Sequence, residues 1–296
     1  MQLAFIGLGA MGFPMAANLA AHHDVLVHNR TRAIADRHAE AHGTKSVSLD
    51  QLGGVEVLLT CLPTTAVVKM VADELVGVLA AGTLWIDCTS GDPEASRALA
   101  SELAERGVTY VDAPVSGGTN GAEAGTLTIM VGGPAQDVAR ARPILEPMAG
   151  LIVEVGPVGA GHAVKAVNNT LLAANLVTAT EGLLALQALG IDPMAAVEVL
   201  NHSSGRSFAT EHPLPERVIT RSFPNTFALG LLHKDVGLGL AVLDAAGDPA
   251  PALRAVADVL EAARAHSGGE VDHTELVRII EHGAGRELKS SAALPI

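Results

Sequence analysis

Aromatic residues and cysteines are scarce in this chain. Tryptophan and tyrosine occur once each and phenylalanine five times, so the 49% of hydrophobic residues must form a core mainly from alanine, valine and leucine. The two cysteines, Cys61 and Cys88, lie in separate apolar segments, and the sequence has no CxxC motif or Cys/His cluster. We therefore expect neither a disulfide framework nor a metal site, and both thiols are predicted to be small buried groups.

Basic residues are also few. The 19 lysines and arginines are outnumbered by 32 aspartates and glutamates, which leaves a net charge of −13. Because nucleic-acid binding needs a basic face, DNA and RNA are not expected partners. Apolar runs such as residues 171–174 are interrupted by polar residues well short of a bilayer span, and the first residues lack a signal-peptide pattern. We therefore expect no membrane association and a cytoplasmic location.

A glycine-rich turn near the N-terminus is the clearest motif. Gly7, Gly9 and Gly12 have the G-x-G-x-x-G spacing directly after an apolar strand pattern, and a helix pattern and a second strand follow. The three glycines permit a tight bend, the approach of a pyrophosphate, and close packing of helix on strand. This context predicts a dinucleotide site; the alternative is a turn with a purely steric role. The predicted contacts are Gly7, Leu8, Gly9, Ala10, Met11 and Gly12.

The end of the second predicted strand indicates which dinucleotide binds. An NAD site usually has an acidic residue about 20 positions after the glycines, but this chain has Asn29, Arg30 and Thr31 there. Arg30 offers a planar, permanently charged group suited to a phosphate, and its two neighbours add neutral donors. We therefore favour NADP(H) over NAD(H); the alternative is that Arg30 is a solvated surface charge.

Short apolar strands alternate with helices through the first half of the chain, which is typical of a parallel sheet covered on both faces. Ligands bind such sheets beyond the carboxyl ends of the strands. Leu62 and Pro63 follow one predicted strand at that end, and Thr89 follows the next. They are candidate cofactor contacts, with ordinary turns as the alternative.

Glycines and a proline interrupt this pattern at residues 156–161, and helical patterns dominate beyond them. We predict a dinucleotide-binding domain at residues 1–161, an all-α domain at 162–289 and a tail at 290–296. The apolar character of the second domain predicts a homodimer or homotetramer. Its predicted helices are residues 162–189, 193–201, 210–218, 233–246, 252–265 and 273–282.

Two positions in the second half of the sequence carry candidate chemistry. Lys165 and Asn169 lie one turn apart on an otherwise alanine- and valine-rich helix, so they share one face. A lysine amine in apolar surroundings is easier to deprotonate than one in water and is suited to proton transfer. The alternative is a half-buried lysine whose amine extends to solvent.

A second candidate is the segment that contains Ser116, Gly117 and Gly118. A hydroxyl beside two glycines leaves backbone N–H groups exposed, which suits a small carboxylate. A plain flexible loop is the alternative from the residues alone. Its place at a strand's carboxyl end favours substrate binding.

The sequence resembles the β-hydroxyacid dehydrogenase family in four segments that follow the family's order. They are residues 7–19 (GLGAMGFPMAANL), 112–118 (DAPVSGG), 159–169 (GAGHAVKAVNN) and 234–235 (KD). The resemblance implies an N-terminal Rossmann-type domain, a helical C-terminal domain and a long helix that joins them.

The resemblance also implies roles for individual residues. It makes Lys165 the catalytic lysine and Asn169 the asparagine that orients the substrate. Ser116, Gly117 and Gly118 match the loop that holds the substrate carboxylate. Lys234 matches a residue on the cofactor side, with Asp235 as its partner on the helix. The trio Asn29, Arg30 and Thr31 resembles members that use NADP.

The function implied by the resemblance is hydride transfer between NADP(H) and a small β-hydroxy acid. The segment Ser203 to Ser207 resembles members that convert 3-hydroxyisobutyrate to methylmalonate semialdehyde. Two alternatives stay open. One is an NADPH-dependent reductase of small aldehyde acids, such as tartronate, glyoxylate or succinic semialdehyde; the other is a dinucleotide-binding protein without catalysis.

Overall fold

The computed structural model describes residues 1–290. The chain divides into two compact units, Met1–Lys165 and a second that begins at Ala166. Of the predicted tail, only Ser290 lies within the described residues. Its hydroxyl donates a hydrogen bond of 2.8 Å to Asp192 Oδ2.

The first unit contains a nine-stranded sheet. Strands β3-β2-β1-β4-β5-β6 are parallel neighbours in that order, and the order reverses between β1 and β4. A ligand crevice is expected at such a reversal. The strands are β1 Gln2–Ile6, β2 Asp24–His28, β3 Lys45–Ser46, β4 Val57–Thr60, β5 Leu84–Asp87, β6 Thr109–Asp112, β7 Val115–Ser116, β8 Leu127–Gly132 and β9 Ala149–Gly156.

The prediction of an α/β fold with a parallel sheet is confirmed for these six strands, but one edge of the sheet differs. Strand β8 runs antiparallel to β6 and β7, and β9 is parallel to β8. The chain between Ser116 and Leu127 is too short for the crossover that a parallel neighbour needs. It turns back instead through Gly117 and the short helix Gly118–Ala124, which is followed by Gly125.

Helices of the first unit are α1 Gly12–Ala20, α2 Arg32–His42, α3 Thr65–Glu74, α4 Pro93–Ala104, α5 Gly118–Ala124 and α6 Ala135–Leu145. The buried side chains form two clusters because neighbouring strand residues point to opposite faces of the sheet. Leu59 and Ile86 belong to one cluster. Leu58 and Trp85 belong to the other. Both faces of the sheet are therefore covered, as the unbroken apolar strands predict.

The second unit is helical, and its long first helix begins in the first unit. The helices are α7 Ala160–Ala188, α8 Pro193–Asn201, α9 Phe208–Glu211, α10 Leu229–Ala246, α11 Pro251–Ser267 and α12 Val277–Ala284. The prediction of one helix over residues 210–218 is wrong. Helix α9 ends at Glu211, and a π-helical turn covers Leu214–Val218. Pro213 and Pro215 lack the N–H groups that a continuous α-helix would need.

Helix α7 is long and apolar enough to span a membrane by length and composition alone, the one such helix among residues 1–290. Polar residues such as Lys165, Asn168 and Asn169 interrupt the apolar runs of this helix, as expected from the sequence. Core helices of soluble proteins also have this length and composition, so this property alone does not indicate a membrane.

Candidate functional site

The glycine turn lies between β1 and α1, where the motif predicts it. Gly7 has φ +101, and a Cβ there would lie 2.2 Å from the carbonyl oxygen of Cys61. A Cβ on Gly12 would lie 1.9 Å from the carbonyl oxygen of Gly7. Only glycine fits at these two positions. A Cβ on Gly9, by contrast, would have no atom within 4 Å, so this backbone borders open space that a ligand can approach.

The N-terminus of α1 fits the diphosphate of a dinucleotide. Met11 occupies the cap position and makes no side-chain capping bond within the described chain. The first-turn N–H groups of an uncapped helix need an acceptor, and the helix dipole favours an anion there. Within the glycine turn that precedes this helix, Leu8 is buried and Ala10 is exposed.

The loop after β2 is tied to the glycine turn by Asn29. The Asn29 side-chain oxygen accepts a hydrogen bond of 3.0 Å from the Leu8 N–H. Its side-chain nitrogen donates to the carbonyl oxygen of Thr31 at 3.1 Å. Sequence reasoning assigned Asn29 to the cofactor as a neutral donor and did not foresee this bridge between the two loops.

Arg30 differs from the arginine two positions later. Arg32 pairs with Asp36 at 3.7 Å, whereas Arg30 is exposed and has no hydrogen-bond or ion-pair partner among residues 1–290. The guanidinium of Arg30 is therefore available to a phosphate group.

The loops after β4 and β5 are joined by the hydroxyl of Thr89. This side chain is buried, and its Oγ1 accepts a hydrogen bond of 3.1 Å from the Leu62 N–H. The Thr89 N–H in turn donates to Asp87 Oδ1 at 3.1 Å. Thr89 therefore positions the loop that contains Leu62, and the neighbouring Pro63 is exposed.

A network of buried polar side chains lies next to these loops. Asp87 accepts hydrogen bonds from the hydroxyls of Thr60 and Tyr110, each at 2.8 Å, and Thr60 accepts one from the Trp85 indole at 2.9 Å. Burial, followed by the charge of Asp87, raises the pKa of Tyr110. Tyr110 therefore stays protonated and donates, and the ends of β4, β5 and β6 are held in register.

The two cysteines lie beside this network and are free thiols. Cys88 is buried and Cys61 is partly buried. Burial raises the pKa of Cys61 to about 12, so its thiol is not ionised near neutral pH.

The segment assigned to the substrate carboxylate forms an open turn after β7. Ser116 pairs with Thr128 on β8. Gly117 and Gly118 have φ +137 and +63, and both are exposed. A Cβ on Gly118 would have no atom within 4 Å, so the backbone here is accessible to a small ligand.

Lys165 lies near the start of α7, in the second turn of that helix, and only 9% of the residue is exposed. Asn169 follows one turn later on the same helix and is 4% exposed. A buried lysine and a buried asparagine on one helix face need polar partners or a ligand.

In the second unit, the amide of Asn169 is oriented by Asp235 of α10. Its side-chain nitrogen donates a hydrogen bond of 2.6 Å to Asp235 Oδ2, and its oxygen accepts one of 3.1 Å from Asn168. The Lys234 amine lies 3.0 Å from Asp235 Oδ1. Asp235 therefore holds both an asparagine and a lysine that the resemblance assigns to the site, a larger role than that of a partner to Lys234 alone.

Gly239 explains how α10 comes close enough to α7. A Cβ at this position would lie 2.1 Å from Thr170 Oγ1 and 3.2 Å from the Ala166 carbonyl oxygen. Gly239 lies one turn after Asp235, and Thr170 directly follows Asn169, so the close helix approach and the Asp235–Asn169 bond belong to one packing contact. Sequence reasoning missed Gly239, for which the only signal is a glycine inside a helix.

Comparisons with known proteins agree with the motifs. Residues 2–156 match the family model described as the NAD binding domain of 6-phosphogluconate dehydrogenase. Residues 159–280 match the model described as NAD-binding of NADP-dependent 3-hydroxyisobutyrate dehydrogenase.

Individual relatives cover most of the chain. The 2-(hydroxymethyl)glutarate dehydrogenase of Eubacterium barkeri is 36% identical over 293 residues, 96% of each protein. The 3-hydroxyisobutyrate dehydrogenase of Pseudomonas aeruginosa is 38% identical over 81% of this chain and 84% of its own length. The solved structure of Mycobacterium tuberculosis 3-hydroxyisobutyrate dehydrogenase with L-serine has a TM-score of 0.87 at 32% identity, over 94% of this chain and 98% of that one. The chain belongs to the β-hydroxyacid dehydrogenase family.

Proposed function

We propose that this dehydrogenase transfers a hydride between NADP(H) and a small β-hydroxy acid, and that 3-hydroxyisobutyrate, oxidised to methylmalonate semialdehyde, is its substrate. The observation that carries the proposal is the pairing of two buried polar residues on α7. Lys165 and Asn169 lie one turn apart, and the amide of Asn169 is fixed by a hydrogen bond of 2.6 Å to Asp235. Such a fixed amide beside a lysine suits an alcohol or carbonyl oxygen.

The residues of the first unit fit a dinucleotide phosphate. The glycine turn and the uncapped N-terminus of α1 would hold the diphosphate. Arg30, which is exposed and has no partner within the described residues, would hold a 2′-phosphate. These features support NADP(H) over NAD(H), and Lys234 is proposed to contact the cofactor as well.

The proton steps follow from the roles of Lys165 and Asn169. The exposed N–H groups of Gly117 and Gly118, with the hydroxyl of Ser116, bind the substrate carboxylate. Asn169 holds the substrate oxygen, and Lys165 takes its proton during oxidation. A bound nicotinamide would supply the hydride chemistry at the carbinol carbon, while these residues align the substrate and handle its proton. In the reverse direction Lys165 returns a proton to the developing alkoxide, and its positive charge stabilises that oxygen.

Reduction of small aldehyde acids is the second candidate function. The available guanidinium of Arg30 favours it, because a preference for NADPH suits the reductive direction. The same residues would act, with Lys165 as the proton donor.

The oligomeric state is proposed from the surface of the second unit. Large apolar side chains are exposed there, and such groups commonly lie in contacts between subunits. We propose a homodimer or homotetramer, to be checked by light scattering after size-exclusion chromatography. The side chains are Leu171, Leu189, Ile191, Val199, Phe208 and Leu231.

A panel of substrates with both cofactors tests the function. Purified protein is assayed with 3-hydroxyisobutyrate, glycerate, 4-hydroxybutyrate, serine and gluconate, and with the matching semialdehydes, each with NAD(H) and NADP(H). We expect the highest kcat/KM with 3-hydroxyisobutyrate and NADP. Higher kcat/KM for a semialdehyde other than methylmalonate semialdehyde supports the reductase. Binding of NADP(H) without turnover of any compound would support the alternative of a dinucleotide-binding protein without catalysis.

A further inference from the structure

We propose that Asp112 is a positioning residue for Lys165, an inference that rests on the proposed role of Lys165. Asp112 is the last residue of β6, and its carboxylate is fully buried. Its Oδ1 accepts a hydrogen bond of 2.7 Å from the Gly159 N–H, and its Oδ2 accepts one of 2.9 Å from the His162 N–H. The two oxygens therefore bind N–H groups at the start of α7, six and three residues before Lys165.

The surrounding backbone is shaped for this carboxylate. A Cβ on Gly132 would lie 2.6 Å from Asp112 Oδ1, and one on Gly161 would lie 2.8 Å from Asp112 Oδ2. Each position admits Asp112 only because it is glycine. The carboxylate is thus enclosed by the backbone of β8 and α7, and it has little freedom to move.

The negative charge of the Asp112 carboxylate is favourable at the N-terminus of α7. Burial raises its pKa, while the charge of His162 and the hydrogen bonds from the Gly159 and His162 N–H groups oppose that change. A negative charge at a helix N-terminus interacts favourably with the helix dipole. The ionised carboxyl is therefore the form that binds α7 best.

A second contact fixes the same turn from another side. The buried ring of His162 forms a hydrogen bond of 2.9 Å between its Nδ1 and the hydroxyl of Ser96 on α4. Contacts to β6 and to α4 together define both the position and the direction of the first turn. The side chain of Lys165, about one turn further along α7, is therefore held in a defined position.

Asp112 is also close in the chain to the loop proposed for the substrate carboxylate. The same residue ends the strand that leads, four residues later, to Ser116 and the exposed glycines. One carboxylate therefore links the loop proposed for the substrate carboxylate with the helix that holds the proposed proton carrier, both within the first unit. Because a displacement of about 1 Å can cost about 100-fold in rate, loss of this link is expected to reduce kcat more than cofactor binding.

A double-mutant cycle tests the proposal. Asp112→Asn keeps the shape of the side chain but leaves one of the two N–H groups without an acceptor. We expect kcat to fall about 10-fold when Lys165 is present and less than about 2-fold in the Lys165→Ala background, because Asp112 acts through Lys165. The NADPH dissociation constant, measured by fluorescence, is expected to change less than about 2-fold.

Asp137→Asn is the matched control. Asp137 is also a buried carboxylate of the first unit, lies in the first turn of α6, and pairs with Arg140 at 3.3 Å. Its replacement is expected to lower thermal stability and to leave kcat within about 2-fold of the wild type. If Asp112→Asn does not fold, Asp112→Ser, which keeps one acceptor oxygen, enters the same cycle.

The outcomes separate this proposal from the proposed function. An equal fold-loss in both Lys165 backgrounds means that Asp112 is merely structural, and an unchanged kcat in Asp112→Asn shows that no positioning is needed. Either result overturns the proposal and leaves the dehydrogenase assignment intact. Undiminished turnover in Lys165→Ala alone overturns the proposed role of Lys165 instead.

Discussion

Asp235 and Asp272 are both 2% exposed in the second unit, yet their partners are of different kinds. Asp272 accepts hydrogen bonds from the backbone and hydroxyls of Thr226 and Thr274 and from the Phe227 N–H. Asp235 instead contacts two side chains, Asn169 and Lys234. Burial of a charge therefore does not by itself indicate a functional site. The identity of the partners is more informative. Those of Asp272 are backbone N–H groups, threonine hydroxyls and the neighbouring His273, which fix the local backbone, whereas those of Asp235 are two side chains that the resemblance assigns to the site.

The same contrast separates two arginines of the first unit. Arg32 is paired with Asp36 on its own helix, whereas Arg30 has no partner among the described residues. Arg32 is therefore a natural control for any experiment on Arg30.

The largest expected effect is on stability, from Asp272→Asn. The substitution leaves several of the N–H and hydroxyl donors around Asp272 without a charged acceptor, and we expect it to lower the free energy of unfolding by about 3 kcal/mol. Urea unfolding followed by circular dichroism measures this change. The folded variant is expected to keep its kcat. A loss of kcat in fully folded protein would show that Asp272, like Asp235, affects activity.

The stabilising effect of Asp272 is expected to depend on pH. Burial favours a raised pKa for Asp272, but His273, Thr274 and the Thr226 N–H outweigh it and hold this pKa well below its usual range. A carboxylate whose pKa is lower in the folded state stabilises the protein above its unfolded pKa of about 3.9 and loses that effect as the pH falls further. Unfolding free energies measured between pH 7 and pH 3 should decline below about pH 4. Asp272→Asn should reduce this decline, and an identical decline in the variant would refute its origin in Asp272.

Asp235→Asn is expected to affect activity more than stability. The variant loses the charge that binds the Lys234 amine and weakens the bond that orients the Asn169 amide. We expect kcat/KM to fall about 10-fold, because the amide proposed to orient the substrate is misplaced, with a smaller change in unfolding free energy than Asp272→Asn shows. Steady-state kinetics on folded protein measure the effect. Equal kcat/KM in Asp235→Asn and Asp272→Asn would show that the two carboxylates do not differ in their effect on activity.

A change of cofactor preference, similar in size to the effect of Asp235→Asn, is expected from Arg30→Asp. A carboxylate repels the 2′-phosphate of NADP and accepts hydrogen bonds from the ribose hydroxyls of NAD. We expect the ratio of kcat/KM for NADP to that for NAD to fall about 10-fold, while Arg32→Asp changes it little. A wild-type enzyme that already prefers NAD would show that the assignment of Arg30 is wrong.

Local patterns predicted much of the first unit. The glycine turn could be predicted because all three glycines act within six residues of chain, and the strands are short apolar runs with clear ends. The antiparallel β8 was harder, since strand direction depends on the length of a connection whose short helix was not foreseen. The π-helical turn at Leu214–Val218 similarly reflects two prolines inside a helical pattern.

Contacts between distant segments could not be predicted. The hydrogen bond from Asn169 to Asp235 depends on how closely α10 approaches α7, and that distance is set by Gly239 against Thr170. Asp112 accepts hydrogen bonds from two N–H groups at the start of α7, which follow it by 47 and 50 positions in the chain. Neither contact leaves a periodic signal in the sequence, so both required the structure.

The central claim is that Lys165 carries the proton, and Lys165→Ala tests it most directly. Single-turnover hydride transfer is followed by NADPH absorbance in the wild type, in Lys165→Ala and in Lys165→Arg, which keeps the positive charge but cannot release a proton. We expect a rate about 100-fold lower or more in both variants, with an NADPH dissociation constant within about 2-fold of the wild type. A hydride-transfer rate within about 3-fold of the wild type in Lys165→Ala would contradict it.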